Sequence, residues 1–221
     1  MHYLNRLFSV LLGLFCLAAT PLHATSSSAA ATPEPLPQTV LVWGDSLSAA
    51  YGIPVEKGWV SLLQAKLGDS YKVINGSISG ETTDGGLTRL PDALRTHQPQ
   101  FVLIELGAND GLRGLPVAHM QDNLDKMIKL VGEAKAKTVL IGIKLPPNYG
   151  MAYTEQFDKA YTDLASQYSL PLIPFLLEGV ALDYKLMQED GLHPTAEAQP
   201  LILEHVWKTL EPALKPATTG Q

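Results

Sequence analysis

The sequence predicts a three-layer α/β/α fold around a five-stranded parallel sheet. Three observations carry that expectation. Five short β-rich apolar runs recur along the chain, each continuous rather than alternating, as in strands buried on both faces. Stretches with helical spacing separate them, and the resulting order βαβαβαβαβα favours parallel strands joined by crossover helices. A chain of 221 residues, 46% hydrophobic and 17% charged, is enough to fill the core of one domain and excludes disorder throughout.

Taken in order, the first segment is an address rather than part of the fold. Arg6 supplies a positive start, and Leu7 to Ala19 is apolar apart from Ser9 and Gly13. That run of about 13 residues falls short of the roughly 20 that a bilayer-spanning helix needs. Residues 1–24 therefore read as a secretory signal peptide, cleaved near Ala24 or within Ser28 to Ala31, with a single-pass anchor as the competing reading. The lone cysteine, Cys16, lies inside this run behind a bulky Phe15, which argues against a lipoprotein signal; without the segment the chain has no thiol, so neither an internal disulfide nor a Cys-rich zinc site is expected. Residues 25–38, with Pro33, Pro35 and Pro37 alternating, form a Ser/Ala/Pro-rich linker without a core of its own. The folded unit is expected over 39–214, and 215–221 as a flexible tail.

Within the folded unit the five predicted strands are Val40 to Trp43, Tyr71 to Ile74, Phe101 to Leu106, Thr138 to Ile143 and Leu170 to Pro174. One helical face is marked by Trp59, Leu62, Leu63 and Leu67, another by Leu124, Met127, Ile128 and Val131, a third by Phe157, Tyr161 and Leu164. A last helix is expected from Thr195 to Leu210, closed before Pro212. Ligands of an open parallel sheet sit at the carboxyl ends of its strands. The loops there are small and polar: Gly44 to Ser48, Asn75 to Thr82, Gly107 to Gly111 and Pro146 to Gly150.

Charge narrows the partners. A formal net charge of −6, more acidic still once Arg6 is removed, gives no electrostatic reason to bind a nucleic-acid backbone. The chemistry falls to hydroxyl, imidazole, carboxylate and amide groups. Of the histidines outside the signal, His97 lies in a helix's last turn before Pro99, where a cation suits the dipole, and His119 and His205 read as solvated helix faces. His193 differs: it stands in Asp190-Gly191-Leu192-His193-Pro194, a turn that brings a carboxylate to the imidazole from three residues away. Ser46, in a tight Gly-Asp-Ser bend after the first strand, is the best placed hydroxyl, with helix N-capping as its alternative and Ser48, Ser77 and Ser79 as competitors on the same edge. Gly80 permits close backbone approach with its N–H, and the Asn109 side-chain amide offers a second donor for an oxyanion. No Gly-x-Ser-x-Gly elbow, P-loop or dinucleotide fingerprint is present.

In order along the chain, Gly44-Asp45-Ser46-Leu47, Gly80 within Ser77 to Thr82, Gly107-Ala108-Asn109-Asp110 and Asp190 to Pro194 resemble the SGNH, or GDSL, hydrolase family. Glu105 to Gly111 and Leu145-Pro146-Pro147-Asn148-Tyr149-Gly150 are similar to its bacterial periplasmic thioesterase, lysophospholipase and arylesterase members. The resemblance implies an SGNH-hydrolase (flavodoxin-like) fold with Ser46 as nucleophile, His193 as base and Asp190 as its orienter. It also implies the Ser46 N–H, Gly80 N–H and Asn109 side chain as oxyanion donors, and a two-step acyl-enzyme mechanism without cofactor or metal. The expected enzyme is a periplasmic or secreted monomer that cleaves aryl and alkyl esters, lysophospholipids or acyl thioesters. Leu112, Leu115, Pro116, Pro146, Tyr149 and Met151 are candidates for an apolar acyl groove. Two other readings stand beside it: a metal-dependent phosphoesterase drawing on Asp45, Asn109, Asp110, Asp190 and His193, and an exported domain that binds a ligand without turning it over.

Overall fold

A computed structural model describes residues 36–215. The expected signal peptide, most of the linker and all of the tail beyond Lys215 lie outside the described residues. Gln38, expected in the linker, is already strand.

The five strands form one parallel sheet: β1 (Gln38–Gly44), β2 (Tyr71–Asn75), β3 (Phe101–Glu105), β4 (Lys137–Ile141) and β5 (Leu172–Ile173). Their spatial order is β2-β1-β3-β4-β5. Continuous apolar runs do become the central strands: Val40 to Trp43 and Phe101 to Glu105 are buried residue for residue. Each Val, Leu or Ile wholly buried there contributes about 1.5–3 kcal/mol relative to exposure, and together they fix the register of β1 on β3, Val40 opposite Phe101 through Gly44 opposite Glu105.

Two helical layers cover the sheet. In one, α1 (Trp59–Leu67) packs on α6 (Gln199–Leu214); in the other, α2 (Thr83–His97), α4 (Val117–Glu133) and α5 (Met151–Tyr168) pack side by side. A short α3 (Ala108–Leu112) follows β3 directly.

Three elements depart from expectation. β2 is an edge strand, so its side chains are half exposed instead of buried on both faces. β5, at the other edge of the sheet, keeps only two residues, with Leu172 opposite Leu140 and Ile173 opposite Ile141. The last helix starts later and runs further than expected. Ala196–Ala198 form a separate turn, and α6 continues two residues past Pro212, which lies in its last turn.

Strand order reverses between β1 and β3, and the connections from these two neighbours leave in opposite directions. A crevice opens at such a switch point, beyond the carboxyl ends of the strands. Gly44 and Glu105 end those strands in register, so the segments carrying Ser46 and Asn109 emerge side by side.

Candidate active site

At the end of β1 the chain bends without room for a side chain: a Cβ on Gly44 would meet Glu105 Oε2 at 2.5 Å and Ser48 Oγ at 2.9 Å. The bend is held by its own aspartate. Asp45 Oδ1 accepts the Leu47 N–H at 3.0 Å, Asp45 O accepts the Ala49 N–H at 2.9 Å, and Ser46 O accepts the Tyr51 N–H at 3.2 Å. Ala50 takes a left-handed φ of 60°, which costs a non-glycine residue energy and marks a turn determined by its surroundings. Ser46 stands partly exposed at the apex.

His193 reaches it from the other end of the chain. Ser46 Oγ lies 2.8 Å from His193 Nε2, and His193 Nδ1 lies 2.6 Å from Asp190 Oδ2. With Nδ1–H donating to the carboxylate, Nε2 presents its lone pair to the hydroxyl, the arrangement in which serine can lose its proton. The carboxylate is itself fixed, since Asp190 Oδ1 accepts the N–H groups of Leu192 at 2.9 Å and His193 at 3.0 Å. Gly191, at φ 67°, supplies the left-handed residue that this tight turn requires. Burial pushes the Asp190 pKa up, but those backbone donors and the imidazole outweigh it and hold the group at about 2. Asp190 is therefore charged whenever the imidazole needs a counter-ion.

The other two expected oxyanion donors, Gly80 and Asn109, line the same cleft as Ser46. Gly80 adopts φ 78°, and its carbonyl turns away to accept from Arg113 Nη2 at 2.9 Å. No acceptor among the described residues takes the N–H of Ser46 or of Gly80. Asn109, in the first turn of α3, gives one amide hydrogen to Asp45 Oδ2 at 3.0 Å, which leaves the other available to a ligand.

A second polar cluster lies behind the bend and escaped the sequence reading. Glu105 is wholly buried, and its Oε2 accepts from Ser48 Oγ at 2.7 Å and from the Asp45 N–H at 3.3 Å. Burial first, and the neighbouring Asp45 charge second, push the Glu105 pKa well above the usual carboxylate range. Burial likewise raises Asp45 to about 6 against the opposing effect of its hydrogen bonds. A lone glutamate closing an otherwise apolar strand was the available signal. The cluster also removes a competitor, because the Ser48 hydroxyl is committed to Glu105 and only 2% of Ser48 is exposed. Ser77 Oγ is buried without a partner among the described residues, and Ser79 lines the cleft.

That cleft, of about 1260 Å3, runs past Ser46, Gly80, Asn109 and His193. Leu112 and Pro146 line it as expected. Leu115, Pro116, Tyr149 and Met151 do not: Pro116 caps α4, Leu115 accepts from Tyr153 Oη at 2.7 Å, and Tyr149 donates to the Leu112 carbonyl at 3.0 Å from behind. The opposite wall comes from Phe175, Leu177, Leu182, Tyr184 and Met187, a segment with no regular periodicity to announce it. Of the remaining histidines, His97 ends α2 and His119 faces Asp84. His205 is half-buried against the Phe175 carbonyl at 2.9 Å, not on a solvated face.

The carboxylates considered for a metal are each engaged by partners within the protein. Asp110 accepts from the Thr83 N–H and hydroxyl at 2.9 and 2.5 Å, Asp45 faces Asn109 and Leu47, and Asp190 faces His193. Among the described residues no group of three or more His, Cys, Asp or Glu side chains is placed to hold an ion.

A hydroxyl, an imidazole and a carboxylate in series, at the switch point of a parallel sheet and beside free N–H donors, define an α/β serine hydrolase of acyl esters. Comparison with known proteins takes this one step further. Residues 42–200 match the GDSL-like Lipase/Acylhydrolase family, and the chain belongs to that family, the SGNH hydrolases. It is 50% identical to Esterase TesA of Pseudomonas aeruginosa, over 83% of this chain and 92% of the relative. It is 44% identical to Thioesterase 1/protease 1/lysophospholipase L1 of Escherichia coli K12, over 79% and 84% respectively. Among solved structures, the psychrotrophic esterase EstA from Pseudoalteromonas sp., inhibited by monoethylphosphonate, superimposes with a TM-score of 0.77 at 45% identity, covering 80% of this chain and 98% of that one. The protein is accordingly a carboxylic ester hydrolase.

Proposed function

We propose that Ser46 is the nucleophile, His193 the general base and Asp190 the group that orients and balances it. The observation carrying this reading is the unbroken series from Asp190 Oδ2 to His193 Nδ1 at 2.6 Å and from His193 Nε2 to Ser46 Oγ at 2.8 Å. In the first half-reaction Ser46 Oγ attacks the carbonyl carbon as its proton passes to Nε2. The tetrahedral oxyanion is met by the Ser46 N–H, the Gly80 N–H and the free hydrogen of the Asn109 amide. Collapse expels the alcohol or thiol, which takes the proton from Nε2 and leaves Ser46 acylated. Water then repeats the sequence: it gives its proton to His193, attacks the acyl carbon, and releases the carboxylic acid while Ser46 recovers its proton.

The cleft supports a substrate with an extended acyl chain. Its volume exceeds the 300–1,000 Å3 usual for small-ligand sites, and its walls are mainly apolar, with Leu112 and Pro146 on one side and Phe175, Leu177 and Met187 on the other. Alkyl and aryl esters, lysophospholipids and acyl thioesters fit that description. The names of the relatives, esterase and thioesterase/protease/lysophospholipase, support the same range. Residues 1–24 support export, so lysophospholipids and simple esters outside the cytoplasm are the substrates of choice. A single chain holds every proposed catalytic group, and the enzyme acts as a monomer.

A series of chromogenic esters of increasing acyl length, run on the wild type and on Ser46→Ala, tests this reading. Turnover should disappear in the variant, and the wild type should favour longer chains up to the length of the cleft. An alkylphosphonate ester should label Ser46 and stop turnover. Full activity in Ser46→Ala overturns the assignment, and loss of activity to a chelator with recovery on adding a divalent ion moves the site to the phosphoesterase reading.

A further inference from the structure

The two halves of the proton relay come from segments 147 residues apart, so no local geometry sets the 2.8 Å between Ser46 Oγ and His193 Nε2. Something must hold the turn after β1 against the loop before α6. Gln188 stands between them. Its side-chain amide donates both hydrogens, one to the Tyr51 carbonyl at 2.8 Å and the other to the Pro194 carbonyl at 3.0 Å. Its own backbone N–H donates to the His193 carbonyl at 2.7 Å.

The bonds close a ring. Ser46 O accepts from Tyr51 N–H, Tyr51 O accepts from Gln188 Nε2, and His193 O accepts from Gln188 N–H. Ser46 Oγ to His193 Nε2 completes it. Gly52, next to Tyr51, is shaped to the same contact. It sits at φ 75°, and a Cβ there would run into Gln188 Oε1, so the amide lies directly against the main chain at a place only glycine allows. Tyr51, whose carbonyl is held this way, places its ring centroid 4.5 Å from that of His193, tilted 39°. An aromatic face at that range stabilises a cation, which is what His193 becomes while it holds the serine proton.

We propose that Gln188 is a positioning residue: its carboxamide staples the nucleophile turn to the histidine loop and holds Tyr51 over the imidazole. The inference rests on the roles given above to Ser46 and His193. An amide is the group that fits, since it alone brings two hydrogens on one nitrogen to two carbonyls without placing a charge between them. A glutamate of the same shape sets an oxygen against those carbonyls, and a methionine of the same length offers neither donor. The staple acts on orientation, so its loss falls on the chemical step rather than on substrate capture.

The experiment compares wild type, Gln188→Met, Gln188→Glu and, in parallel, Ser46→Ala. The readouts are kcat and KM on a short chromogenic ester, the second-order rate of phosphonylation by a p-nitrophenyl alkylphosphonate, and the number of sites phosphonylated per chain. Rates are expressed per phosphonylated site, which removes any unfolded fraction. For both Gln188 variants kcat and the phosphonylation rate should fall together by about 10- to 100-fold, the scale of a misplacement near 1 Å, with KM held within about two-fold. The glutamate variant should lose at least as much as the methionine. Per-site rates within about two-fold of wild type in Gln188→Met overturn the staple, as does a loss confined to KM. Turnover persisting in Ser46→Ala overturns the assignment of the site itself, whereas an inactive Ser46→Ala beside a fully active Gln188→Met overturns only the role of Gln188.

Discussion

Ser46 and Ser48 stand two residues apart, and each hydroxyl meets an acid–base partner at nearly the same distance, 2.8 Å to His193 Nε2 and 2.7 Å to Glu105 Oε2. In front of the bend the group at the end of the series, Asp190, is bathed by backbone donors and held at about 2. Behind it, Glu105 is wholly buried and pushed up, with Asp45 raised to about 6 beside it. The same residue types therefore do opposite work. A carboxylate that keeps its charge stabilises an imidazolium and activates a serine. One that burial drives toward neutrality fixes the main chain of the turn, and its serine stays a structural donor. On the roles proposed above, nucleophile and strut differ in their immediate partner, an imidazole for Ser46 and a carboxylate for Ser48, and in how the carboxylate of each series is solvated.

Removing each serine is the strongest way to break that contrast. Ser46→Ala should lower kcat/KM by at least about 10⁴-fold, as loss of a nucleophile does in comparable relays, while leaving thermal stability near that of the wild type. Ser48→Ala should lower it by no more than about 10-fold and instead cost stability, because Glu105 and the Asp45 turn lose a donor, a deletion worth about 1–3 kcal/mol. Parallel steady-state kinetics and thermal melts separate the two, and equal kinetic losses would erase the distinction. Asn109 belongs to both sides, since one hydrogen goes to Asp45 and the other faces the cleft. Asn109→Ala should cost about 10²–10³ in kcat, the usual loss for one oxyanion donor, with a drop in melting temperature that a purely frontal residue would not show.

How much of this was legible in the sequence follows from the range of the forces involved. β1, β3 and β4 were readable because a strand buried on both faces is a near-continuous apolar run. That Ser46, Asp190 and His193 would meet was readable because small polar loops at strand ends have few structural excuses for a serine and a paired imidazole, and the structure brings the three side chains together. Glu105 was visible only as a lone carboxylate closing an apolar run: its partners come from 57 and 60 residues away, so the run does not tell what the carboxylate meets. Gln188 was hidden for the same reason, its contact to Tyr51 spanning 137 residues. The groove was half legible. Nearness to Asn109 suggested Leu112, Leu115 and Pro116 together, but the chain after β3 coils into α3, which leaves Leu112 on the cleft and turns the other two toward α4 and α5. The facing wall at 175–187 has no regular period and gave no pattern to read.

That wall extends the comparison to substrate. Leu182 and Tyr184 line the cleft yet are 96% and 93% exposed, whereas Leu177 and Met187 of the same segment are buried, so part of that wall is open to solvent. Replacing both with serine should raise KM for long-chain esters by about 3- to 10-fold, within the range a few lost apolar contacts supply, and change short-chain esters less. A chain-length series of KM values checks this; a uniform rise at every length would place the two side chains at the acyl carbon rather than along the chain.

The smallest kinetic effect is expected behind the bend, at Glu105→Gln. Glutamine keeps an oxygen where Ser48 and the Asp45 N–H donate, and its amide mimics the protonated acid, so kcat/KM should stay within about 10-fold of wild type, apart from the nucleophile loss by orders of magnitude. The distinguishing signal is stability against pH. Because the folded protein holds the Glu105 proton to a higher pH than the unfolded chain, the folded state binds more protons above the ordinary value of 4.5. Stability must then fall as pH rises from there toward neutrality, and it is fully recovered only below the unfolded value. Asp190 acts in the opposite direction: depressed to about 2, it contributes stability above its unfolded value that is lost as pH falls toward 2. Chemical denaturation from pH 4 to 8 should show a downward slope in the wild type that flattens in Glu105→Gln, with the residual slope reflecting Asp45 near 6. An unchanged slope would mean that Glu105 is ionised in the folded protein, and the contrast between a charged front and a neutral back would fail.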